Sequence, residues 1–116
     1  DANWVEGARV PDLMFYRAER LAAYRKANPD WADKPYVLVP DLVVEVVSPG
    51  DRYSDINRKV DAHLGDGVRL IWVVDPQRRT VTVHRENTYG VLAEGEALTG
   101  GDVLPGFALA VEDVFA

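Results

Sequence analysis

Apolar residues crowd both faces of the stretch from Pro40 to Asp51, which is written PDLVVEVVSPGD. Side chains on a strand point to opposite faces with a period of two. Leu42 and Val44 would therefore share one face, while Val43 and Val47 would share the other. Because both faces are mostly apolar, the pattern predicts a central strand that is covered on both sides.

Alternation and turn residues predict further elements before and after this strand. We expect strands at residues 9–16, 40–48, 69–75 and 80–85 to form one sheet. Two further short strands are expected at 89–93 and 107–110, and helices at 18–27, 53–64 and 111–115. The strand, helix and strand between residues 40 and 75 form a right-handed crossover with a parallel strand pair. The expected fold class is α/β (α+β), in a single domain spanning residues 1–116.

The helix predicted at 53–64 has one apolar stripe, at positions i, i+3, i+4, i+7 and i+8: Ile56, Lys59, Val60, His63 and Leu64. We expect this stripe to face the sheet, which would aim Lys59 inward. The alternative is a surface pair between Lys59 and Asp55, with the ammonium in water. A histidine in such a stripe is more often a core or boundary residue than a ligand.

Glu45 is the one ionisable residue in the middle of the central strand. A buried carboxylate is unfavourable unless it is paired, protonated or bound to a cation. Asp41 lies on the same face but about 13 Å away along the strand, too far to share an ion. A neighbouring strand is nearer, and Asp12 is the best candidate there. Asp75 is a weaker one, because the Asp-Pro turn already explains it.

Two acids and a lysine around one Mg²⁺ ion suit phosphodiester hydrolysis, although such residues also occur together in any acidic protein. The net charge of −6 argues against a generally basic surface for nucleic acid. Seven basic residues could still build a small basic groove, and the alternative is that they form a solvated surface. They are Arg52, Arg58, Lys59, Arg69, Arg78, Arg79 and Arg85.

Cysteine is absent and there are only two histidines, which argues against a disulfide scaffold and against a zinc site. No apolar run approaches the roughly 18 residues that a membrane helix needs, and no signal peptide is visible. These features fit a cytoplasmic protein with no membrane partner.

The motifs RVPDLMF, PDLVVEVVSPGDR, GVRLIWVVDPQRRTVTVHR and LPGFALAVEDVF occur in this order, with Lys59 on the intervening helix. This arrangement resembles the Uma-type restriction endonuclease family of bacteria, over nearly the whole chain. The resemblance implies the PD-(D/E)XK nuclease fold, a restriction-endonuclease-like mixed central β-sheet flanked by helices. It also implies DNA cleavage that depends on Mg²⁺ (or Mn²⁺), and assembly as a homodimer.

Carried over residue by residue, Asp12 matches the aspartate of the PD motif, and the (D/E)XK motif begins at Glu45. The resemblance therefore implies metal ligands at Asp12, Glu45 and Val46. The motif lysine is replaced by Val47, and Lys59 on the next helix would supply the ammonium, so that Asp12, Glu45 and Lys59 are the expected catalytic residues.

Such families also have an N-terminal helix and a first strand before the PD strand, and we expect this chain to lack both. The alternative function is therefore a catalytically inactive nuclease-fold module that acts through dimerisation or partner binding.

Overall fold

The computed structural model describes residues 11–34 and 38–116. Its elements follow the chain in this order: β1 (Leu13–Phe15), α1 (Ala18–Ala27), a 3-10 turn (Trp31–Asp33), β2 (Leu42–Val46), α2 (Tyr53–Gly65), β3 (Leu70–Asp75), β4 (Thr80–His84), β5 (Tyr89–Leu92), β6 (Ala97–Gly100), β7 (Leu104–Ala110) and α3 (Val111–Val114). Among the helices of these residues, none has both the length and the apolar character that a bilayer crossing needs.

The main sheet has five strands in the order β1-β2-β3-β4-β5. Strands β2 and β3 are parallel, and every other neighbouring pair in this sheet is antiparallel. The predicted strands, the crossover through α2 and the β3–β4 hairpin are confirmed, although the first predicted strand begins at residues that lie outside the described part. Strand β6 was not predicted, and it pairs with β7 in a separate two-stranded sheet.

Strand β2 is buried on both faces, as its sequence predicts. Leu42 and Val44 belong to an apolar cluster with Trp72, on the side where β6, β7 and α3 pack. Val43 belongs to a second cluster, in which Ile56 and Val60 of α2 contact the sheet. The two clusters explain why this strand lacks a polar face.

Polar contacts with Asp41 attach helix α1 to the start of β2. The helix has no buried residue, so apolar packing contributes little to its position. The main-chain N–H of Arg17 donates to Asp41 Oδ2 at 2.7 Å. The Arg20 guanidinium forms an ion pair with Asp41 Oδ1 at 2.8 Å and donates to the carbonyl of Val39. Asp41 is therefore a buried acid with a structural role.

Asp75 ends β3 and closes the turn that follows it. Its Oδ1 accepts the main-chain N–H groups of Gln77 and Arg78, which confirms the turn interpretation. Its Oδ2 accepts the Tyr53 hydroxyl at 2.7 Å, which ties the first residue of α2 to the end of β3. The Tyr53 hydroxyl is the largest cause of a lowered pKa for Asp75, and together with the two turn amides it outweighs burial.

We expect Asp41→Ala to lower the free energy of unfolding by about 2 kcal/mol, because it removes two charge-assisted contacts from a buried site. Arg20→Ala should have a smaller effect, since the N–H of Arg17 would still donate to Asp41. Urea unfolding measures both values. Equal effects of the two variants would show that the ion pair alone holds α1.

We expect Tyr53→Phe to change the way stability depends on pH. A lowered folded-state pKa makes Asp75 stabilising above its unfolded-state pKa of about 4, and this effect is lost as the pH falls through the folded pKa. The variant lacks the largest cause of that shift, so it should lose less stability on acidification than the parent.

The difference between the two urea midpoints should therefore be largest at neutral pH and should shrink between about pH 5 and pH 2. Tyr89→Phe is the matched control, because Tyr89 is highly exposed and stacks on His84. A difference that stays constant at every pH would exclude a role for the charge of Asp75.

Candidate active site at the end of strands β1 and β2

Glu45 lies near the end of β2, on the face that packs against α2. It is paired in register with Val73 of the parallel strand β3 and is only 4% exposed. A carboxylate in such apolar surroundings needs a hydrogen-bond or charge partner. The structure supplies one from the helix.

That partner is His63 of α2. Its Nε2 lies 2.8 Å from Glu45 Oε2, and both side chains are almost completely buried. His63 shares the inner stripe of α2 with Ile56 and Val60. The sequence predicted a core position for His63, and that is confirmed, but it did not predict the contact with Glu45. A signal was present, since His63 is a polar side chain in a helix stripe that must cover the strand carrying Glu45.

Asp12 lies just before β1, beside the end of β2. Strands β1 and β2 are antiparallel with Leu13 opposite Val44, and one further step in that register brings Asp12 opposite Glu45. Asp12 Oδ2 accepts the main-chain N–H of Val46 at 2.7 Å. The carboxylate of Asp12 is thus held at the residue that follows Glu45. A separation of about 5 Å between the two carboxylates, close enough to share an ion, stays a prediction.

Lys59 is exposed on α2, so the prediction that it faces the sheet is wrong. The buried stripe consists of Ile56, Val60 and His63, and Lys59 lies at its edge, where a long side chain extends into water. The alternative pair with Asp55 is not formed either, and Asp55 instead bonds Arg58 at 3.1 Å. Lys59 precedes His63 by four residues, which places both on the same side of the helix, one turn apart.

The available donors around Glu45 are oxygen atoms. The strand register brings Asp12 opposite Glu45, and among the described residues no group of three or more His, Cys, Asp or Glu side chains could hold a metal ion. Magnesium is typically bound through one or two carboxylates and keeps several waters. Asp12 and Glu45, with the main chain of Val46, therefore fit a hydrated Mg²⁺ or Mn²⁺ ion better than a zinc ion.

Several of the arginines that could have built a basic groove are held by acids of the same chain. Arg58 pairs with Asp55, Arg69 with Asp102 and Arg79 with Glu94. Arg78 lies over the ring of Tyr53. These pairs match the solvated-surface alternative rather than a basic groove.

Comparison with solved structures shows a similar fold in a cyanobacterial protein. A crystal structure from Anabaena variabilis, described as "a putative nuclease belonging to DUF820", is 23% identical and has a TM-score of 0.63. The match covers 70% of this chain and 46% of the other, so the chain spans about half the length of that protein. At this identity the likeness shows the fold.

Curated protein sequences give no significant match to the chain. A match to a family is found, and it extends from residue 3 to residue 112. The residues of the candidate site all lie within that range. The chain therefore belongs to the Uma2 family, whose description is "Putative restriction endonuclease".

Proposed function

We propose that this protein is a Mg²⁺-dependent (or Mn²⁺-dependent) DNA endonuclease that hydrolyses phosphodiester bonds. The observation that carries the proposal is the hydrogen bond from the N–H of Val46 to Asp12, which brings a second carboxylate to the residue beside the buried Glu45. Membership of the Uma2 family and the fold shared with the Anabaena protein support the same reaction class.

Asp12 and Glu45, with the main chain of Val46, are the residues that would hold the ion. When bound, the ion would offset charge on the scissile phosphate and make a neighbouring water more acidic. Asp12 is exposed whereas Glu45 is buried, so one side of the site is open to a polymer and the other is fixed by the core. This asymmetry suits a substrate too large to be enclosed.

Lys59 would act from the helix side of the site. Its exposed ammonium is free to move, and no ion pair joins it to an acid in the part of the chain that the structure describes. A positive charge placed where negative charge develops lowers the barrier to hydrolysis. Lys59 would therefore stabilise charge on the phosphate and would not bind the ion.

A second candidate function is a catalytically inactive module that binds a partner or a second copy of itself. An apolar groove of about 870 Å³ on the side of the sheet away from α2 favours it. Leu13 and Phe15 line this groove and are 54% and 45% exposed. Exposed apolar patches often mark protein interfaces. A plasmid-cleavage assay discriminates between the two functions.

We expect the parent protein to nick or linearise plasmid DNA with Mg²⁺ or Mn²⁺, and Glu45→Gln and Asp12→Asn to lose at least about 100-fold of that rate. Each variant removes a charge that the ion needs while keeping the side-chain shape. Asp113→Asn is the matched control, because Asp113 is an exposed acid of α3. Inactivity of the parent with either ion would favour the partner-binding module, and full activity of both site variants would remove the assigned site.

We expect Lys59→Ala to slow cleavage about 100-fold while leaving Mn²⁺ affinity and the free energy of unfolding close to the parent values. The substitution removes a side chain that stabilises charge in the transition state, and it removes no ligand of the metal ion. Lys26→Ala, on the exposed surface of α1, is the matched control. Cleavage by Lys59→Ala at the parent rate would show that Lys59 is only a solvated side chain.

A further inference from the structure

We propose that His63 is a positioning residue that fixes the orientation of the Glu45 carboxylate for the ion site, an inference that rests on the proposed function. The two groups meet at 2.8 Å, in a place from which water is almost excluded. A carboxylate that holds an ion is ionised and only accepts hydrogen bonds, so Nε2 would be the nitrogen that carries the proton in this pair.

The contact uses one carboxylate oxygen and leaves the other available. His63 bonds Oε2, and among the described residues none bonds Oε1 of Glu45. Glu45 has several rotatable bonds, and a side chain that had to be ordered on binding would weaken an ion site. By holding Oε2, His63 would keep Oε1 turned outward from the core before any ion arrives.

His63 is itself held rigidly. Its side chain lies in the apolar layer that Ile56 and Val60 form with the sheet. Its carbonyl accepts the N–H groups of Asp66 and Val68, both at 3.1 Å, where the chain leaves α2 for β3. A positioning residue is effective only if it is held in place itself, and His63 is held by packing around its ring and by hydrogen bonds to its main chain.

Helix α2 would then serve two parts of the site. It carries His63 behind Glu45, and one turn earlier it carries Lys59 on the solvent side. The bond from Tyr53 to Asp75 fixes the other end of the same helix to β3. One rigid helix therefore fixes the main chain of Lys59 relative to that of His63, while the long Lys59 side chain stays free to reach the site.

The test compares Mn²⁺ affinity, measured by titration calorimetry without DNA, in the parent, His63→Gln and His63→Leu. The glutamine amide can donate a hydrogen bond from nearly the position of Nε2, while leucine fills similar space and donates none. We expect His63→Leu to weaken Mn²⁺ binding about 10- to 100-fold and His63→Gln to restore it to within about 3-fold of the parent.

His84 is the only other histidine, and it stacks on Tyr89 at the far side of the sheet order, so His84→Leu is the matched control. Unchanged affinity in His63→Leu would overturn the inference and leave the proposed function standing. Equal weakening by Gln and Leu would also overturn it, because packing and not the N–H would then matter. A parent that neither binds Mn²⁺ nor cleaves DNA would overturn the proposed function and the inference together.

A measurement on the parent protein alone guards against a variant that does not fold. In a Mg²⁺ titration followed by NMR, the Glu45 carboxyl carbon and the His63 Nε2 should shift with the same midpoint, while the ring nitrogens of His84 stay unchanged. A Glu45 signal that moves without His63 would show that the histidine does not hold the carboxylate that receives the ion.

Discussion

Burial of the Glu45 carboxylate between the sheet and α2 is the constraint on which the local structure depends. A carboxylate moved from water into apolar surroundings loses several kcal/mol of solvation unless a partner replaces the water. Helix α2 must therefore present a hydrogen-bonding partner at the place where its apolar stripe crosses β2, and His63 is that partner. Removing either partner would leave the other buried alone, so the two positions are coupled.

Among the described residues, three acids with low exposure lie in the central strands or directly before them, and they differ in how their oxygens are used. Both oxygens of Asp41 are occupied by Arg17 and Arg20. Both oxygens of Asp75 are occupied, by the turn amides and Tyr53. Glu45 is held by His63 through one oxygen only, among the residues that are described. A buried acid with a purely structural role needs a hydrogen-bond partner on each oxygen. Glu45 differs from the other two acids because one of its oxygens has none among the described residues.

The sequence predicted the elements whose burial follows a simple period. Strand β2 shows apolar residues on both faces, and the helix stripe marks Ile56, Val60 and His63, so four strands of the main sheet and the helix on it could be inferred. Strand β6 was missed for two reasons. Leu98 is the one large side chain that this strand buries, so no alternating pattern is visible, and the pairing of β6 with β7 leaves no signal in the local sequence.

The positions of the residues in the candidate site were predictable in part. Two isolated acids on adjacent strands indicated Asp12 and Glu45, and the register brings them to the same end of β1 and β2. The predicted orientation of Lys59 toward the sheet was wrong because helical periodicity defines the buried face of a helix only to within about one residue. Lys59 lies at the edge of that face. The hydrogen bond between Glu45 and His63 depends on the distance between the helix and the sheet, and the periodicity of a sequence contains no information about that distance.

The charge distribution determines how such a site could meet DNA. The chain has a net charge of −6, and Arg58, Arg69 and Arg79 are paired with acids of the same chain. Each phosphate contact made by a free cation adds to affinity and to its salt dependence. Among the described residues these pairs leave fewer cations free for such contacts, so most attraction for a phosphate would have to arise at the acids once they are neutralised. Binding that rests on so few contacts would be weak and only mildly sensitive to salt, in contrast to that of a basic DNA-coating protein.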